Sequence, residues 1–136
     1  MTKKNRLKIC NWSLLITTVA ILASGLQLEF TCCHYAFSIA WFHIITGIIF
    51  LCLIIWHLQL HFGWRNLPLR LRKQKSALTR TLAIVFLLMT VSAAIATYHW
   101  LDFHHHSPIG GVHGKIGFLM IILVICHTLK RVKFLL

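Results

Sequence analysis

Residues 39–60 read IAWFHIITGIIFLCLIIWHLQL, with no Asp, Glu, Lys or Arg among them. A helix rises about 1.5 Å per residue, so such a run is roughly 33 Å long. That matches the ~30 Å hydrocarbon core of a bilayer. The apolar character is continuous rather than a stripe, which sets this segment apart from the surface helices of a soluble bundle. Three further stretches of the same kind flank it, at about 12–28, 81–98 and 112–129. The sequence therefore predicts an all-α fold, an integral membrane four-helix bundle running up-down-up-down, in one membrane domain over residues 1–136. Composition agrees. Apolar residues make up 58% of the chain, charged residues 12%, and the acidic ones are only Glu29 and Asp102. A soluble domain carries about 25% charge of mixed sign. The net charge of +12 would suit a nucleic-acid partner, but the basic residues sit in short blocks between apolar runs. No charged face on a soluble fold is available, so the expected partner is the lipid bilayer and not nucleic acid.

Those basic blocks set an expected orientation. Lys3, Lys4, Arg6 and Lys8 precede the first stretch; Arg65, Arg70, Arg72, Lys73, Lys75 and Arg80 lie between the second and third; Lys130, Arg131 and Lys133 follow the fourth. Of the 14 basic residues only Lys115 falls elsewhere. The positive-inside rule then puts both termini and a basic loop, 61–80, in the cytoplasm. Trp12, Trp41, Trp64 and Trp100 fall near helix ends, as interfacial anchors do. The first stretch also has features of a signal peptide, a basic start and an Ala23-x-Gly25 site, but its length fits a retained helix better. None of the five cysteines forms a C-x-x-C pair, so covalent haem attachment is not indicated.

A shift of seventy positions lays Ile39 on Ile109, His43 on His113, Gly47 on Gly117 and His57 on His127. This reads as a tandem repeat of two helical hairpins, with equivalent jobs for the second and fourth helices. Histidine inside a membrane helix is costly and marks a functional site by default. Here each pair, His43 with His57 and His113 with His127, is separated by just under four helical turns, so both imidazoles point to nearly one face, roughly 21 Å apart along the axis. The second and fourth helices run in the same direction. If they oppose each other, His43 meets His113 near the outer face and His57 meets His127 near the inner one. Two axial imidazoles are what a protohaem iron takes, and two stacked bis-histidine haems b fit the arithmetic.

Gly47 and Gly117 each lie a turn inward of the outer histidines, where a missing side chain lets a macrocycle approach the backbone; small-residue contact between helices is the plain alternative. The plain reading of the histidines is hydrogen bonding between helices without a cofactor. Structural zinc would need about four ligands, and two imidazoles per level fall short.

The pattern AWFHIITG…IIWHLQLHFGW in the second helix, with GVHGKIGFLMIILVICH in the fourth, resembles the small four-helix bacterial membrane cytochromes b. With the SGLQLE ending of the first helix, the chain is similar more narrowly to the flavinylation-associated cytochrome domain, over about residues 10–130. The resemblance implies haem b held by His43, His57, His113 and His127. It also implies residence in the bacterial cytoplasmic membrane and transmembrane electron transfer from a quinol pool or membrane donor to an extracytoplasmic flavin-bearing protein. His61, a turn beyond His57, is the alternative inner ligand; the fourth helix has Arg131 at the equivalent place, so depth matching prefers His57. Arg131 lies four residues beyond His127, on the same face, and would suit a haem propionate; a simple positive-inside role fits equally well. His34, His99 and His104–His106 read as polar loop residues, with metal handling through them as a more distant option. No nucleotide-binding or nucleophile motif is present. An electron-transfer subunit is expected rather than a stand-alone enzyme. The runner-up is a non-redox membrane component, a transporter subunit or assembly factor.

Overall fold

The computed structural model describes residues 2–30, 36–63, 69, 73, 76–103 and 108–131. Four helices account for nearly all of them: α1 (Lys3–Phe30), α2 (Ala36–Phe62), α3 (Ala77–Phe103) and α4 (Pro108–Arg131). No strand occurs among the described residues. All four helices are long and apolar enough to cross a membrane, and the chain is a multi-pass membrane protein.

The helices overrun the apolar stretches at both ends. α1 begins at Lys3 instead of near Trp12, and α3 runs on to Phe103. The apolar stretch marks what hydrocarbon tolerates, but backbone hydrogen bonding continues into the headgroup region, where long basic side chains reach water. The expected 61–80 loop shortens accordingly: His61 and Phe62 belong to α2, and residues 77–80 to α3.

The helix ends have local causes. Gly63, at φ 68°, follows α2 and its N–H bonds the Gln59 carbonyl at 2.9 Å. That is a left-handed cap, which a side chain at this position would strain. Pro108 opens α4, where its missing N–H is no loss. Within the helices Thr17, Thr18, Thr46 and Thr90 return their hydroxyls to carbonyls one turn back, which satisfies them in hydrocarbon.

The chain forms two compact units, residues 1–73 and 74–136. In the first, α1 packs on α2; in the second, α3 packs on α4. Ser24 meets His43 near one end of the first hairpin and Cys10 meets Leu53 farther along, so α1 and α2 are antiparallel. The second hairpin behaves alike, with Ser92 against His113 and Met89 near Gly117.

Burial is reversed from that of a soluble protein. Ile16, Leu87 and Ile122 are 60–65% exposed. The buried side chains among the described residues are mostly small: Cys10, Ser24 and Ala40 in the first hairpin, Val85, Ser92 and the larger, flexible Met120 in the second. Lipid is as apolar as leucine, so burying leucine drives nothing; close approach and hydrogen bonding hold membrane helices together. The Cys10 thiol, wholly buried, donates across to the Leu53 carbonyl at 3.7 Å and ties α1 to α2 in this way.

Candidate functional site

In the first hairpin α2 carries His43, Gly47, His57 and His61. His43 is half-buried and turned toward α1. Its Nδ1 lies 2.8 Å from Ser24 Oγ, and Ser24 is itself buried. The same hydroxyl donates to the Ile21 carbonyl at 3.0 Å. Gly25, the next residue on α1, completes the seat. A Cβ there would stand 3.3 Å from His43 Cε1, so the missing side chain gives the ring its space. One turn along α2, a Cβ on Gly47 would meet nothing within 4 Å in the first hairpin, so α1 does not cover that patch of α2.

Nearer the other end, His57 is half-buried while His61 is exposed. Their ring centroids are 4.6 Å apart at an interplanar angle of 52°. His61 borders an open cleft of roughly 810 Å³ shared with Lys3, Arg6 and Gln59, at the end where α1 starts and α2 stops.

The second hairpin repeats the arrangement at the first histidine. His113 on α4 is half-buried, and its Nδ1 lies 3.1 Å from Oγ of the buried Ser92 on α3. Ser92 likewise donates one turn back, to the Met89 carbonyl at 3.0 Å. Gly117 differs from Gly47. A Cβ there would meet Met89 Cε at an ordinary 3.5 Å, so this glycine faces α3 within its own hairpin. His127 is half-buried farther along α4, and Arg131 is the last residue of that helix.

Each hairpin therefore holds two of the four candidate histidines on its second helix and a buried serine against the first of them. Both serines escaped the sequence reading. The seventy-residue shift places Ser24 on Ala94, because nineteen residues separate Ser24 from His43 and twenty-one separate Ser92 from His113. What could have found them is a serine beside a small residue, Ser24-Gly25 and Ser92-Ala93, inside an otherwise apolar helix. Trp64, His34 and His104–His106 lie outside the described residues. Among the described residues no three His, Cys, Asp or Glu side chains gather as a metal site, whereas an axial haem pair needs only two.

Compared with known proteins, the chain matches no family model, no curated protein and no solved structure.

Proposed function

We propose that the chain is a membrane electron-transfer cytochrome holding two b-type haems, with His43 and His113 at one iron and His57 and His127 at the other. The carrying observation is the duplicated seat: each hairpin presents a half-buried histidine whose Nδ1 is fixed by a buried serine of the facing helix. Metal-binding histidines are characteristically oriented through their second ring nitrogen in this manner. Bound there, haem would supply a one-electron iron centre; the protein's own share is to orient imidazoles and exclude water. The patch at Gly47 that α1 leaves uncovered suits a flat apolar macrocycle. Gly117 has Met89 Cε 3.5 Å from where its Cβ would stand, which supports the helix-packing alternative over haem contact for this glycine. His57 is preferred over His61 because it is half-buried while His61 opens on the basic cleft. Arg131, at the end of α4 beyond His127, suits a propionate.

The orientation that goes with this reading puts both termini and the basic segment between α2 and α3 in the cytoplasm of a bacterium. The His43 and His113 site then lies toward the outer face, where an extracytoplasmic flavin-bearing protein would exchange electrons, with a quinol or membrane donor supplying them. A second reading has its own observation. The two serine–histidine contacts are themselves interhelical hydrogen bonds, which a non-redox transporter subunit or assembly factor would also use. One experiment separates the two. Protein purified from a haem-replete host is reduced with dithionite and its haem counted as the pyridine haemochrome. A sharp b-type band at two haems per chain supports the cytochrome, and colourless, folded protein overturns it.

A further inference from the structure

The structure assigns Ser24 and Ser92 one shared role, in which each holds the imidazole across from it as the Nδ1–H tautomer, so that Nε2 of His43 and of His113 is the ring nitrogen able to ligate a metal. A hydroxyl has one proton to donate and two lone pairs to receive. Ser24 Oγ stands 3.0 Å from the Ile21 carbonyl, which only accepts, so that contact uses the hydroxyl proton. The 2.8 Å contact with His43 Nδ1 must then run the other way, with the ring N–H donating to Oγ. Ser92 repeats the logic, 3.0 Å from the Met89 carbonyl and 3.1 Å from His113 Nδ1. In the opposite tautomer the hydroxyl proton turns to Nδ1, the bond to the carbonyl is lost, and Nε2 carries a hydrogen and cannot ligate. Where water is scarce, the arrangement that keeps both bonds prevails. The pattern arises twice, in two separately packed hairpins and at unequal sequence separations, so it is not the echo of one helix register. Gly25 adds to the first seat, since a Cβ there would stand 3.3 Å from His43 Cε1 and press the ring away by a few tenths of an ångström.

The tautomer is argued from the hydrogen bonds at Nδ1; its use at an iron rests on the cytochrome reading. The two are tested separately. In the full chain labelled with ¹⁵N-histidine, prepared without haem in lipid nanodiscs, His43 and His113 should show a protonated Nδ1 and a pyridine-like Nε2. Resonances with the proton on Nε2 overturn the inference. Ser24→Ala should mix the tautomers of His43 and leave His113 unchanged, Ser92→Ala should do the converse, and Ser→Thr at either position should restore the wild-type shifts. In haem-loaded protein both alanine variants should alter the same haem. Its midpoint potential should rise, because the imidazole becomes a weaker donor to ferric iron, and its retention should fall roughly tenfold. The other haem should keep its potential. Unshifted potentials and full retention in both alanine variants overturn the positioning role. The correct tautomer in a protein that takes up no haem overturns the cytochrome and leaves the serine assignment standing.

Discussion

Gly47→Ala separates a glycine kept for a ligand from one kept for helix packing. A Cβ at position 47 meets nothing within 4 Å in its own hairpin, so the added methyl has no steric cost against α1. Replacing glycine by alanine inside a helix then gains about 0.8–1.0 kcal/mol of intrinsic propensity. Haem-free Gly47→Ala should accordingly be as stable as wild type or slightly more so. If a macrocycle lies against α2 at this turn, the same methyl intrudes on it. Overpacking a fitted contact costs about 1–3 kcal/mol. At about 1.4 kcal/mol per tenfold, haem affinity should fall roughly 5- to 140-fold. The assay is paired: thermal unfolding of the haem-free protein in nanodiscs, and titration of the same preparation with haem. Gly117→Ala is the internal control, because its Cβ would make an ordinary 3.5 Å contact with Met89 Cε. A Gly47→Ala protein that binds haem as tightly as wild type would refute the placement of the macrocycle. One destabilised without haem would show that position 47 is packed by protein after all.

Gly25→Ala should push the His43 ring by a few tenths of an ångström, since the new Cβ starts 3.3 Å from Cε1, and should lengthen the 2.8 Å bond to Ser24. Its unfolding temperature should barely move, because the alanine gain of about 1 kcal/mol offsets the strain; the haem band assigned to His43 should shift, and an unchanged spectrum counts against the seat. His43→Ala with His113→Ala should lose little more haem than either single change, as expected of two residues serving one site; additive losses, counted as pyridine haemochrome, would split them between sites. Reporter fusions at residue 35 and near residue 105 should read as outside and one near residue 72 as inside, following the basic blocks; an outside signal at residue 72 reverses the membrane sidedness of both histidine levels.

The part of this fold that is visible in the sequence is the part that lipid dictates. Uninterrupted runs such as 39–60 announce their helices because every turn must satisfy its own backbone bonds in hydrocarbon. Where the helices end is harder to read, because the last turns at Lys3 and Phe103 lie beyond the apolar run and follow local capping instead. The histidines can be found because an imidazole among isoleucines is conspicuous. Their partners are harder to find, because serine is common in membrane helices and satisfies itself by bonding one turn back, as Ser24 does to Ile21 and Ser92 to Met89, and only its place beside a small residue sets it apart. Only packing shows that the same two hydroxyls also meet an imidazole. Sequence symmetry conceals rather than reveals the pair: a shift that superposes His43 on His113 leaves Ser24 two residues out of step with Ser92. The offset is tolerable because only the oxygen has to arrive. Two residues along a helix move a side chain by roughly 3 Å of rise and more than half a turn of rotation. Each hairpin must therefore pack with its own rotation of the first helix to bring a hydroxyl to Nδ1. Two different spacings thus end in the same serine–histidine contact.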